Sequence, residues 1–202
     1  MTGPSPWIGL SGTPGVGKTT VAKLLRKRGI AIWDGRKLAK EARAYVGRDK
    51  TRRTRIVDVL VVARYLRLNL PSAPPVIIDS HWAHEIPGVN TVIVLRLHPR
   101  QLRERLVKRR WPGAKVSENV EAEGVGIIVS ESAKRLPRER IAELDATGLA
   151  PQEVLDRLLP FLDSQDPVKT GLEMGNVDWS KDVDEWMARR PTAARASGPR
   201  AP

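Results

Sequence analysis

The chain of 202 residues contains no cysteine. That absence excludes disulfide scaffolds, thiolate-held zinc or iron-sulfur sites, thioredoxin chemistry and cysteine nucleophiles, and it fits a reducing compartment. Long apolar runs are missing too. The greasiest stretch, Ile56 to Leu70, is cut by Asp58, Arg64 and Arg67, so nothing approaches the roughly 18 uncharged residues that a membrane span needs. The start, MTGPSPWIGLSG, lacks the basic region of a secretory leader, and a cytoplasmic protein is expected. Aromatic residues are scarce, at 4%. The tryptophans (Trp7, Trp33, Trp82, Trp111, Trp179, Trp186) are scattered without a second interleaved aromatic, which argues for packing and against a base-stacking platform. No internal repeat occurs. Negative charge is in deficit, since Lys+Arg 35 against Asp+Glu 23 leaves +12, and such a surface attracts polyanions: RNA, ribosomes and nucleotides.

What is present reads as one packed domain. Hydrophobic residues at 41% and charged residues at 29% lie near globular averages. Trp7 to Leu10 is a short apolar run, SGTPGVGKT follows, and VAKLLRKRG then carries Val21, Leu24 and Leu25 at helical spacing up to Gly29. Ile30 to Trp33 predicts a second strand with Asp34 at its carboxyl end, and GRKLAKEARAYV predicts a helix through Leu38, Ala42 and Tyr45. The basic stretch Gly47 to Arg55 interrupts the rhythm. An apolar helix is expected over Ile56 to Leu70, closed by Pro71, Pro74 and Pro75.

PVIID at Pro75 to Asp79 and NTVIVLR at Asn90 to Arg96 are unbroken and β-branched, as buried parallel strands tend to be. Pro99 opens a helix (QLRERLVKR), RWPGAK breaks it, and Val116 to Arg135 predicts one long helix. IAELDATG predicts a short strand at Ile141 to Gly148, before a last helix at Pro151 to Leu162. Strands alternating with helices imply an α/β fold with an open, mostly parallel sheet flanked by helices. Beyond Asp163 the composition shifts. Residues 166–190 form an extension with one possible helix near Ser180 to Arg189, whose stripe of Val183, Trp186 and Met187 needs a surface to lie on, the domain itself being expected. Residues 191–202 read as a disordered basic tail.

The chemistry is carried by Gly12-Thr-Pro-Gly-Val-Gly17-Lys18-Thr19, which fits G-x-x-x-x-G-K-[ST] between an apolar strand and a helix. Such glycines let the backbone curl so that several N–H groups face one centre, and the helix N-terminus adds positive potential. Lys18 then reaches the β and γ phosphates of ATP and the Thr19 hydroxyl can ligate Mg²⁺. Asp79, at the carboxyl end of a buried strand, suits the second magnesium-side ligand of a P-loop NTPase. His81, two residues on, either orients a water or phosphate oxygen or is simply a satisfied loop histidine.

Taken together, GTPGVGKTT, the strand end IIDSH, VLRLHPRQLRERL, the break at Arg109, SENVEAE, and ELDATG before a P-x-E helix resemble the archaeal and eukaryotic atypical adenylate kinases. These are small P-loop kinases, also described as NTPases that help mature the small ribosomal subunit. The resemblance spans residues 7 to 163. It implies a nucleoside monophosphate kinase-like domain over residues 1–165, with an acceptor-binding insertion at about 35–70 and a short lid at about 108–118. It implies broad adenylate kinase activity on AMP or another nucleoside monophosphate, ATPase activity, and a role in small-subunit and rRNA maturation with a ribosomal protein as partner. The family's phosphate-binding positions fall on Gly15, Gly17, Lys18, Thr19 and Thr20, its D-x-H on Asp79 and His81, and its lid arginine on Arg109. Arg105, one helical turn earlier on the same face, is expected on the acceptor side. Catalysis would then rest on Lys18, Asp79, His81 and Arg109, because phosphoryl transfer needs positive charge brought to the equatorial oxygens from the side opposite the P-loop.

The acceptor region departs from the family's pattern. Where an acid-rich stretch is usual, GRDKTRRTRIVDVLVV is basic and only Asp49 and Asp58 remain. Those arginines suit a monophosphate, another anion or an RNA backbone. Asp34 is either an acceptor-side contact or the cap of the next helix. Glu118, Glu121 and Glu123 lie within two helical turns without a His or Cys partner and imply no metal site. Two further readings stay open: a P-loop kinase of a small non-nucleotide metabolite, and a nucleotide-switched assembly or RNA-binding factor.

Overall fold

Five short strands assemble the centre of the molecule. A computed structural model of the chain describes residues 7–49, 54–69 and 76–179. The central sheet contains β1 (Trp7–Ser11), β2 (Ile32–Asp34), β5 (Val76–Asp79), β6 (Thr91–Arg96) and β7 (Ile141–Asp145), in the order β2-β5-β1-β6-β7. All four pairings are parallel. The pleat sends successive side chains to opposite faces. Ile77 and Ile93 therefore enter one core with Val21, Leu25, Leu155 and Phe161, while Ile78, Val92 and Val94 enter the other with Leu38, Val62 and Leu66. Burial on both faces explains why β5 and β6 show no polar alternation.

Helices α1 (Lys18–Lys27), α2 (Gly35–Glu41), α3 (Val59–Asn69), α4 (Pro99–Lys108), α5 (Gly113–Gly124), α6 (Ile127–Ala133), α7 (Pro151–Ser164) and α8 (Pro167–Thr170) surround the sheet. Because β1 lies between β5 and β6, the carboxyl edge opens at the point where strand order reverses, the usual ligand crevice of an open α/β sheet. Among the described residues no helix is long and apolar enough to cross a membrane.

Three expectations need correction. The helix expected through Tyr45 stops at Glu41, where Arg43 turns left-handed (φ 54°). Tyr45 instead begins an antiparallel hairpin of β3 (Tyr45–Asp49) and β4 (Thr54–Val57), so the basic stretch is partly strand and Ile56 is not helical. Asp58 then starts α3, its carboxylate accepting from the Leu60 and Val61 amides at 2.9 and 3.3 Å, a cap worth about 1 kcal/mol. The long helix expected over Val116 to Arg135 is two, α5 and α6, broken where Gly126 adopts φ 63° beside the buried Arg96 guanidinium.

The extension packs as far as it is described. Glu143 donates its amide to the Leu172 carbonyl at 2.7 Å, Ala142 bridges Glu173, and Trp179 is buried. The helix expected near Ser180 to Arg189, with Val183, Trp186 and Met187, and the tail 191–202 lie outside the described residues.

Candidate active site

The glycine-rich loop leaves β1 at Ser11 and enters α1 at Lys18. Gly12 and Gly15 have φ of 136° and 106°, and the loop runs so close to its neighbours that a Cβ on Gly15 would meet Leu106 at 2.7 Å and Leu102 at 2.9 Å. Glycine is required by conformation and by space. Helix α1 has no side-chain cap and no acid in its first turn, so its first amides and dipole are left for an anion.

Lys18 folds back on this loop, its ammonium donating to the Gly12 carbonyl at 2.5 Å and the Thr13 carbonyl at 3.1 Å. Burial pushes its pKa down to about 8, against the opposing pull of Asp79 and Glu123. Asp79 sits beside Asp34, its register partner in β2. Burial raises the Asp79 pKa, Lys18 opposes that rise, and the Asp34 carboxylate adds to it. Asp34 serves two ends: Oδ1 caps α2 by accepting from the Arg36 and Lys37 amides at 2.8 and 3.0 Å, and the side chain also lines the cleft.

His81 reaches solvent, yet the protein around its ring and the positive charges of Lys18, His84 and Arg36 push its pKa down to about 4. Its loop is pinned from below. Ser11 Oγ donates to the His81 carbonyl at 3.0 Å and lies 3.1 Å from Nδ1 of the buried His84, whose Nε2 is 3.3 Å from Glu131.

These groups border a cleft of about 410 Å³ that gathers Gly15, Gly17, Lys18, Thr19, Thr20, Asp34, Asp79, His81 and Arg109. Arg36, which sequence reasoning passed over, lines it as well. Its only signal in the sequence is a basic residue two places after a strand-ending acid. A second cleft of about 440 Å³ lies on the other side of the P-loop, with Val16, Val21, Leu95, Leu149 and Val154 as apolar wall and Arg105, Lys108 and Arg109 as basic rim. Gly17, Thr20 and Arg109 border both clefts. Arg105, expected on the acceptor side, lines this second cleft and donates to the Val16 carbonyl at 2.9 Å. Burial and the neighbouring Arg109 lower its pKa. Arg109 closes α4, and the chain turns there through Arg110 (φ 57°) into α5.

Behind the loop sits an ion cluster with no local sequence signal. Arg96 donates to Glu123 at 2.8 Å and to Glu143, and all three are buried. The partners are 27 and 47 residues away, so helical spacing in the acidic stretch could not reveal Glu123 as an anchor.

The hydroxyl of Thr19 and the carboxylate of Asp79 are hard oxygen donors at one cleft, the donor type Mg²⁺ takes when phosphates and waters complete its shell. Residues 8–126 match the AAA domain family. A protein from Thermococcus onnurineus (strain NA1) named "Putative adenylate kinase" is 39% identical over 179 residues, 88% of this chain and 93% of that protein. One of the same name from Pyrococcus abyssi (strain GE5 / Orsay) is 36% identical over 181 residues, again 88% and 93%. Among solved structures, a gluconokinase from Sinorhizobium meliloti 1021 superposes with a TM-score of 0.51 at 17% identity, covering 79% of this chain and 92% of that one. A sugar kinase from Janibacter sp. HTCC2649 gives 0.52 at 17%, covering 82% and 98%. Those two likenesses show the fold alone. With its phosphate loop, its parallel sheet and this degree of identity to the archaeal proteins, the chain belongs to their family of P-loop nucleotide kinases.

Proposed function

We propose that the protein is a nucleoside monophosphate kinase that transfers the γ-phosphoryl group of ATP to AMP or a related monophosphate in the cytoplasm. The observation that carries this reading is the pair of clefts meeting at Gly17, Thr20 and Arg109, with Lys18 lining the first of them. The apolar second cleft suits the donor nucleoside. The first cleft suits an anionic acceptor, since Arg36 and Arg109 face it together with Lys18. A phosphate oxygen of the monophosphate attacks the γ-phosphorus, the bond from that phosphorus to the β–γ bridging oxygen breaks, and ADP leaves from both sides. The attacking oxygen is already ionised and needs no general base. A sugar hydroxyl would need one; His81 is too weak a base near neutrality, and Asp34, whose Oδ1 caps α2, would have to supply its other oxygen.

Lys18 and Arg109 deliver positive charge to the transferring group from opposite sides, and the turn at about 108–118 acts as a lid over the acceptor region of about 35–70. Bound Mg²⁺, held by Thr19 and Asp79, supplies charge neutralisation at the phosphates. Slow ATP hydrolysis belongs to the same reading, with neutral His81 positioning water. A panel of monophosphates and small hydroxylated metabolites, each offered with ATP and followed by ADP release, tests it; phosphorylation of a metabolite alone would refute it.

A second reading, a nucleotide-switched assembly factor that contacts rRNA or a small-subunit ribosomal protein, draws on one observation. Arg48 and Arg55 face each other across the exposed β3–β4 ribbon, with Arg55 lying 4.8 Å over the Tyr45 ring. Like charges directly opposite disfavour a ribbon by themselves and are relieved by a polyanion. Reversing both charges (Arg48→Glu with Arg55→Glu) should abolish a salt-sensitive RNA association; RNA binding that survives the change refutes this reading.

A further inference from the structure

Helices α4 and α5 form an arm that carries Arg109 at its tip, and both roots of that arm meet at one side chain of the C-terminal extension. The first root is His98, whose ring Nδ1 accepts from the Arg100 amide at 3.2 Å at the start of α4. The second root is Glu123, in the last turn of α5. Arg96, at the end of β6, stitches the second root to the sheet: Nε donates to the Glu123 carboxylate at 2.8 Å and Nη2 to its carbonyl at 2.9 Å. The Leu97 amide adds a second bond to the same carboxylate at 3.0 Å. Trp179 lies against the first root and against the Arg96 that holds the second, its ring 4.6 Å from the Arg96 guanidinium and edge-on to His98 with centroids 5.7 Å apart.

Trp179 is held there by the sheet. Glu143 on β7 takes Arg96 Nη1 on one oxygen and the Gly175 amide, at 2.7 Å, on the other, so extension and arm share one carboxylate.

We infer that Trp179 is a positioning residue for phosphoryl transfer: acting through Arg96, it holds the root of the α4–α5 arm where Arg109 can reach the transferring group. The inference rests on the kinase reading above. Its physical basis is leverage. A buried guanidinium between two carboxylates keeps its pairs only while water is excluded, and a ring over the cation both excludes water and attracts it. Uncovering Arg96 leaves the P-loop in place but lets the arm rock. Misplacement of a catalytic cation by about an ångström is enough to reduce turnover severely.

The test is a double-mutant cycle in the full chain. Trp179→Leu should lower kcat about ten-fold with KM for AMP within about two-fold, and Trp179→Phe, which keeps an aromatic face, should recover most of kcat. In an Arg109→Ala background the same change should lower kcat no further, because the arm then has nothing to deliver. An unchanged kcat in Trp179→Leu, or a full second loss in the Arg109→Ala background, overturns the inference. If Trp179→Leu does not fold, Trp179→Met and Trp179→Phe give the same two comparisons. If the wild-type chain phosphorylates no monophosphate, the kinase reading fails on its own, and release of a fluorescent ATP analogue still reads the arm. Faster release in Trp179→Leu, but not on top of Arg109→Ala, supports the pin; equal release in all of these proteins overturns it.

Discussion

Asp34 and Asp79 are register partners in adjacent parallel strands, so two carboxylates stand side by side at the carboxyl edge of the sheet. Asp79 is the one whose proton affinity rises, through burial first, with Asp34 adding to it and Lys18 opposing. An ionised Asp79 is what a magnesium-side ligand requires. The acid limb of kcat/KM should therefore lie above the ordinary aspartate range, activity being lost as pH falls through it. Asp34→Asn should move that limb to lower pH while α2 stays capped, since asparagine caps as well as aspartate. A pH-rate profile of the two proteins checks this, and a limb that does not move would mean the Asp34 charge does not reach Asp79.

Arg36 should govern the acceptor and not the donor. Removing one charge-assisted contact to a phosphate, as in Arg36→Ala, should raise the acceptor KM about ten- to a hundred-fold and leave the KM for ATP nearly unchanged. Initial rates at varied AMP and varied ATP separate the two, and a rise confined to ATP would place Arg36 on the wrong side of the site.

Lys18 should set the alkaline limb. Its pKa of about 8 in the free protein means that ATP meets a charged ammonium below that pH and an increasingly neutral amine above it. ATP affinity should accordingly weaken as pH rises through about 8, as titration calorimetry in a pH series would show. The stability sign is opposite. With the folded pKa depressed from 10.5 to about 8, the unfolded chain binds more protons between those values, so this group's destabilisation is full below 8 and is relieved as pH rises toward 10.5.

What the sequence made legible follows from where each signal resides. The P-loop and the core strands β5 and β6 were readable because burial on both faces demands unbroken β-branched runs, and because only glycine satisfies both the loop's backbone and the approach of Leu102 and Leu106. The β3–β4 hairpin was hidden, since an exposed ribbon rich in Arg and Gly has no apolar alternation to announce it. Arg36 follows Asp34 so closely that it read as helix surface. Glu123 and Trp179 owe their roles to Arg96, a partner 27 residues from the first, and long-range ion pairs leave no periodic trace.

His81 should separate hydrolysis from transfer. A neutral ring that orients water matters when water is the acceptor and much less when a phosphate oxygen is. His81→Ala should therefore cut ATP hydrolysis about ten-fold or more while ADP formation from AMP falls by about two-fold or less. Equal loss of both would make His81 a support of the loop that Ser11 pins.

The central claim is that this P-loop passes a phosphoryl group between two nucleotides. Phosphorus NMR of the purified protein with Mg·ATP and AMP follows both at once. ATP and AMP should disappear in equal amounts as ADP appears in twice that amount, and Lys18→Ala should slow the reaction about a thousand-fold or more. Inorganic phosphate and ADP appearing in equal amounts, with AMP untouched, would contradict the claim, as would undiminished transfer by Lys18→Ala.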